Sequence, residues 1–258
     1  MFRHSHGAGT DSSKLGGIRA LVVGLGREGI ALTGFLAGHG AQVTVTDVRP
    51  AGALADALSA LADLPVNQAL GGHPVELLDD TDVILVSPGV PPDISLLVEA
   101  RRRNIPLGSE TRLFTRLCPA PIVGITGSSG KTTTTALVGE MLRAAGRQVW
   151  VGGNIGRPLI SCLDEIDPKD TVVMELSSFQ LEFFRPWSSA AGGERQGELA
   201  NALFDPSGWS PSVAAILNIT PNHLDRHATM ERYIAAKAQI VEHQGPGNVT
   251  VLNRDDSI

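Results

Sequence analysis

Short apolar runs of strand length recur along the chain, separated by longer stretches whose apolar residues return at helical spacing. The runs at 18–23, 42–46, 66–70, 82–86 and near Leu107 predict strands. Helices are expected from a glycine turn to about His39, over 93–103, and up to about Leu117. The pattern then restarts. Strands are expected at 121–125, 148–151, 171–176, 213–219 and 248–252, and helices over 133–145 and 229–242. Strands alternating with helices imply parallel sheets covered on both faces, so the fold class is α/β. The proline-rich stretch 118–121 reads as a linker between a Rossmann-like domain over 18–117 and an incomplete phosphate-loop ATPase-type domain over 118–258. Residues 1–17, polar and rich in Gly, Ser and His, are expected as a disordered tail. Residues 185–211, rich in Ser, Gly and Ala, are expected as a flexible insertion with one helical turn at 198–203.

Composition narrows the class. At 258 residues and 42% hydrophobic content the chain has enough apolar material for two cores. No apolar run reaches the roughly 18 residues of a spanning helix. The start lacks the apolar segment of a secretory signal. Cys118 and Cys162 form no CxxC pair, so reduced thiols in a cytoplasmic protein are expected. A net charge of −6 argues against nucleic acid as the main partner. The chain has 21 Lys plus Arg, yet its lysines are only Lys14, Lys131, Lys169 and Lys237. A sequence this rich in arginine keeps lysine where a primary amine is needed, which draws attention to Lys131 and Lys237.

The stretch from Gly124 to Thr133, GITGSSGKTT, lies between an apolar run and a helix. This is the layout of a nucleotide triphosphate loop, although Ile125 stands where the strict pattern has its first glycine. Gly127, Ser128, Ser129 and Gly130 would shape a cradle of backbone N–H groups, completed by the helix start at Thr133. Lys131 would reach the β- and γ-phosphates and the Thr132 hydroxyl would hold Mg²⁺. Glu175, at the end of a buried-type strand, is the expected acidic complement to Thr132. Ser177, Ser178 and Gln180 are polar where the strand could have continued apolar. His223 follows the strand at 213–219 in a loop crowded with Asn222, Asp225, Arg226 and His227, and Lys237 lies on the next helix.

In the first half, Gly24, Gly26 and Gly29 form a G-x-G-x-x-G turn with Arg27 inside it. Asp47 and Arg49 follow near the distance expected for a nucleoside contact. The turn suits any diphosphate-linked ligand, and UDP is attractive beside a second phosphate loop. The stiff loop from Ser87 through Gly89 to Pro92 sits beyond another strand end.

Four segments together, TGSSGKTT at 126–133, GNIG at 153–156, ELSSFQLE at 175–182 and NITPNHLDRH at 218–227, closely resemble the Mur ligases of peptidoglycan synthesis. The third string is similar to the member of that family that joins D-glutamate to UDP-N-acetylmuramoyl-L-alanine. The resemblance implies ATP-dependent amide-bond formation through an acyl phosphate. It implies two Mg²⁺ sites, one at Thr132 and Glu175 and one at His223. It also implies a carbamylated lysine at Lys237 and contacts from Asn154 and Ser177 to the muramoyl part of the substrate. Lys131, His223 and Lys237 are thereby the expected catalytic residues. Members of the family continue beyond the point matching Ile258 into a third domain that binds the amino acid, so this stretch alone is expected to have little or no ligase activity. Two other functions stay open: a non-catalytic module binding a nucleotide or UDP precursor, and a nicotinamide-dependent oxidoreductase working through Gly24.

Overall fold

The computed structural model describes residues 15–184, 198, 203–204 and 208–256. The chain divides between Leu117 and Cys118 into two units, each built on a five-stranded parallel sheet.

In the first unit the strands are β1 (Arg19–Val23), β2 (Gln42–Asp47), β3 (Val66–Leu70), β4 (Val83–Val86) and β5 (Leu107–Gly108), in the order β3-β2-β1-β4-β5. Helices α1 (Arg27–Gly38), α2 (Ala55–Ala60), α3 (Ser95–Arg102) and α4 (Glu110–Leu117) lie between or after them. β1 and β4 are central and covered on both faces, which is why Leu21, Val22, Val23 and Val83 to Val86 are all apolar and buried. Val22 pairs with Val45 on one side and Leu85 on the other. The order reverses at β1 and β4, and ligands of open α/β sheets gather beyond the carboxyl ends of such strands.

Two boundaries differ from expectation. Leu15, counted with the tail, is buried, and the backbone N–H of Ile18 donates to its carbonyl, so ordered chain begins before β1. Of the insertion expected over 185–211, only 198, 203, 204 and 208–211 are described, and the turn expected at 198–203 falls largely outside the described residues. Leu203 and Phe204 are buried and belong to the first unit. The Phe204 ring lies so close over Gly108 that a Cβ there would sit 2.3 Å from it, and the Arg112 guanidinium is 5.3 Å from the ring centre.

The second unit carries β6 (Ile122–Thr126), α5 (Lys131–Ala144), β7 (Val149–Gly153), β8 (Thr171–Glu175), β9 (Val213–Ile216) and β10 (Val249–Leu252), with sheet order β10-β9-β6-β8-β7. Short helices at Ser178–Leu181 and Leu224–His227 precede a longer one at Met230–Glu242. Ile125, Val149 and Val173 form the core beneath α5, with Val138 and Leu142 against them. α5 starts two residues earlier than its apolar pattern, because Gly130 adopts a left-handed conformation (φ +77°) that turns the chain directly into the helix. β9 ends three residues early because Leu217 and Asn218 turn toward the loop after β6. α2 and the 3₁₀ segments Val75–Asp80 and Leu159–Glu165 are too short for their periodicity to stand out in the sequence.

Candidate functional site

The carboxyl ends of β6, β7, β8 and β9 share one edge of the second sheet, and most of the expected phosphate-site residues meet there. The loop Gly127–Gly130 is held from below by Asn218, whose Oδ1 accepts from the backbone N–H of Ser128 (3.1 Å) and of Ser129 (2.9 Å). The Ser128 Oγ donates to the Thr220 carbonyl at 3.0 Å. The amides of Ser128 and Ser129 therefore fix the loop's shape. The groups with no intrahelical partner are those at the start of α5, where Thr134 is the first to donate back, to Gly130. Gly130, Lys131, Thr132 and Thr133 thus present the N–H cluster and the positive end of a helix dipole of the kind that binds phosphate. The Lys131 ammonium rests on the carbonyls of Gly127 (2.9 Å) and Ser128 (3.3 Å), within the loop it would serve.

Glu175 closes the β8 end. Its carboxylate is buried, and both oxygens accept from neutral donors: Oε2 from the Thr132 hydroxyl at 2.7 Å and Oε1 from the Asn154 amide at 3.0 Å. The backbone N–H of Asn154 also donates to the Glu175 carbonyl. Gly153 makes this approach possible, since with φ +95° any Cβ there would lie 2.3 Å from that carbonyl oxygen. Among the described residues no three His, Cys, Asp or Glu side chains converge. An ion at this place would draw on the Thr132 hydroxyl, the Glu175 carboxylate and phosphate oxygens, an all-oxygen set that suits Mg²⁺. Ser177 has a second commitment. It caps the Ser178–Leu181 helix in a reciprocal box with Gln180, which explains the polar residues beyond β8.

Lys237 is fully buried under the loop, where its ammonium donates to the Gly127 carbonyl (2.9 Å) and the Thr126 hydroxyl (3.2 Å). Burial, aided by the nearby charge of Lys131, lowers its pKa to about 7. Two ammonium groups thus share the Gly127 carbonyl. Tyr233, the chain's single tyrosine, joins these parts: its hydroxyl lies 3.0 Å from Ser128 Oγ and its ring 4.8 Å from the Lys237 ammonium. His223 is exposed at the rim in a left-handed conformation (φ +53°), with its ring edge-on to Phe179 at 5.0 Å. Asn218, Tyr233 and Phe179 were not singled out from the sequence. A lone Tyr and an Asn at a strand end were visible there, but their partners were not.

The first unit has its own site beyond β1, β2 and β4. Gly24 (φ +92°) and Gly29 allow α1 to approach the turn closely, since a Cβ on Gly29 would sit 2.0 Å from the Gly24 carbonyl oxygen. The Ser87 hydroxyl donates to the same carbonyl at 2.8 Å, and Gly89 is exposed in the turn that follows. Gly26 caps α1 without a side chain, leaving the N-terminal amides of α1 and exposed Arg27 at the surface. Asp47 accepts from the Leu25 backbone N–H (2.8 Å) and from Arg49 Nε (3.0 Å) and a terminal guanidinium nitrogen (2.8 Å). Arg49 holds the Asp47 carboxyl well below the usual range, against the opposing effect of burial.

The family model described as the Mur ligase MurD-like N-terminal domain matches residues 18–109, and that of the Mur ligase middle domain matches 125–191 and 202–258. A UDP-N-acetylmuramoylalanine–D-glutamate ligase of Geotalea uraniireducens is 45% identical over 242 residues, covering 93% of this chain and 48% of the relative. The ligase of the same description from Symbiobacterium thermophilum is 42% identical over 238 residues, covering 92% and 47%. The chain spans about half the length of the curated relatives it matches. Among solved structures, a UDP-N-acetylmuramate:L-alanyl-gamma-D-glutamyl-meso-diaminopimelate ligase from Neisseria meningitides aligns with a TM-score of 0.58 at 15% identity. It covers 93% of this chain and 72% of that one, a likeness of fold.

Proposed function

This chain belongs to the Mur ligase family, and from that premise we propose that it supplies the ATP-handling and UDP-precursor-binding parts of a cytoplasmic ligase. That enzyme would join D-glutamate to UDP-N-acetylmuramoyl-L-alanine in peptidoglycan precursor synthesis. The observation that carries the reading is the cluster at the start of α5, where Thr132 and Asn154 occupy the two oxygens of buried Glu175. The amides of Gly130 to Thr133 would cradle the triphosphate, Lys131 would turn from the loop carbonyls to the transferring phosphoryl group, and Thr132 with Glu175 would hold the first Mg²⁺. The metal's contribution is to neutralise charge on the phosphate oxygens. Transfer of the γ-phosphoryl group to the alanyl carboxylate gives an acyl phosphate and releases ADP. The amine of D-glutamate then attacks the acyl carbon, loses a proton and expels inorganic phosphate to form the amide. Such a reaction needs positioning and electrostatic stabilisation more than covalent help from the protein.

His223 would hold a second Mg²⁺, which would supply further charge neutralisation to the phosphoryl group. Lys237 has an amine whose pKa burial brings down to about 7, so a substantial share is neutral near pH 7, the form that reacts with CO₂ to give a carbamate and release a proton. Asn154 and Ser177 face the muramoyl part of the substrate. In the first unit the α1 amides and the turn at Gly24 hold the diphosphate of UDP, with Ser87 and Gly89 beside it and Asp47 and Arg49 at the nucleoside.

Calorimetric titration tests this on the chain as it stands. UDP-N-acetylmuramoyl-L-alanine and a non-hydrolysable ATP analogue with Mg²⁺ are each expected to bind. Lys131→Ala should weaken the analogue by about tenfold or more while leaving the UDP ligand unchanged. Binding of NAD that depends on Gly24, with neither of these ligands retained, would turn the assignment to the oxidoreductase.

A further inference from the structure

His227 lies outside the roles assigned above, yet it is more completely held than His223 four residues before it. It is buried, and its Nε2 is hydrogen-bonded to the Ser178 hydroxyl at 2.9 Å. Its Nδ1 lies 3.1 Å from Glu182 Oε1, an electrostatic contact off the line of a hydrogen bond. One ring face stacks on Phe179 (5.2 Å between centres, 14° between planes), and Tyr233 lies 5.2 Å away. Phe179 in turn meets the His223 ring edge-on, while the Arg226 guanidinium sits 4.4 Å from its centre. A continuous row of contacts therefore runs from Ser128 in the phosphate loop through Tyr233, His227 and Phe179 to His223.

The backbone shows why such a row is needed. His223 and Ala228 both have positive φ, at 53° and 64°. Non-glycine residues hold that conformation only where their surroundings enforce it. The local bonds come from Asn222, whose Oδ1 accepts from the His223 N–H, and from the amides of Arg226 and His227, which donate to the His223 carbonyl. They fix the peptide but not the imidazole. The ring meets Phe179 edge-on, and Phe179 is stacked on His227 with the Arg226 guanidinium also against it.

We propose that His227 is a positioning residue: clamped by Ser178 and Glu182, it holds Phe179 against His223 and so aims the His223 imidazole over the phosphate edge. The metal consequence rests on the reading of His223 as a Mg²⁺ ligand; the placement of the ring does not.

The test uses the whole chain labelled with carbon-13 at histidine and phenylalanine, with His223 assigned through His223→Gln. Two variants are compared, His227→Leu, which fills the space without stacking or polar contacts, and Ser178→Ala, which removes only the Nε2 partner. In the parent chain a nuclear Overhauser contact links the His223 and Phe179 rings, and Mn²⁺ with the ATP analogue broadens the His223 resonance. Both variants are expected to lose or weaken the ring contact and to need about tenfold more Mn²⁺ for the same broadening. Affinity for the analogue should stay within about twofold, since its phosphate contacts lie elsewhere. A change of fold alone would move both together. Folded variants that keep the ring contact and the Mn²⁺ dependence overturn the proposal. If His227→Leu does not fold, Ser178→Ala decides by the same readouts. A parent chain whose His223 never responds to Mn²⁺ removes the metal role, and the ring contact still decides the positioning.

Discussion

Burial lowers the Lys237 ammonium from the usual lysine value of 10.5 to about 7, with the Lys131 charge as the lesser cause. Below about pH 7 the folded protein therefore carries a buried charge that the unfolded chain would solvate. Between about pH 7 and 10.5 the unfolded state holds a proton that the folded state lacks, so this residue's contribution to stability rises with pH through that window. Lys237→Met is expected to raise the thermal unfolding midpoint at about pH 6 in bicarbonate-free buffer, with the advantage shrinking toward pH 10. Melting curves across that range check it, and a constant advantage would contradict the assigned shift. Glu175 gives a second residue-scale expectation. Glu175→Gln keeps the shape and much of the hydrogen bonding to Thr132 and Asn154 but removes the charge. Mg²⁺-dependent affinity for an ATP analogue should fall about tenfold or more, while the metal-free affinity barely changes. Titrations with and without Mg²⁺ separate the two.

At the scale of elements, the sites depend on strands and helices approaching each other more closely than a side chain permits. Gly29→Ala would place a methyl 2.0 Å from the Gly24 carbonyl oxygen and push α1 off the turn. A loss of about 2 kcal/mol or more is expected in the first unit, measured by urea unfolding, together with weaker binding of the UDP precursor and unchanged binding of the ATP analogue. Gly153→Ala does the corresponding damage where β7 meets β8, with the further strain of a positive φ. It should weaken the Mg²⁺-dependent nucleotide affinity by moving Glu175, without touching the UDP ligand. The opposite pattern of losses in these two variants is the sharper check.

On the scale of the molecule, the chain forms two units, each on its own five-stranded parallel sheet, and one short stretch of chain complicates the division. Leu203 and Phe204 come after β8 in sequence but belong to the core of the first unit. Phe204→Ala should cost that unit about 3 kcal/mol, visible in urea unfolding, even though the sequence places this residue in a polar insertion. The strands, most helices and the glycine turn into α5 were legible because each rests on local periodicity or on glycine spacing within a few residues. The pattern of loop and strand end already set Glu175 against Lys131 and Thr132, whereas Asn154 joined them only through the resemblance of four separate segments to one family. Their proximity depends on the strand order β10-β9-β6-β8-β7, and no local pattern encodes that order. Asn218 beneath the loop, Tyr233 between Ser128 and His227, and Phe204 over Gly108 were not legible. The sequence by itself determined where the chain is extended, helical or turning, because those preferences arise between near neighbours. Only the tertiary structure decided which distant side chains became partners, since burial and hydrogen bonding across strands depend on how the sheet is assembled.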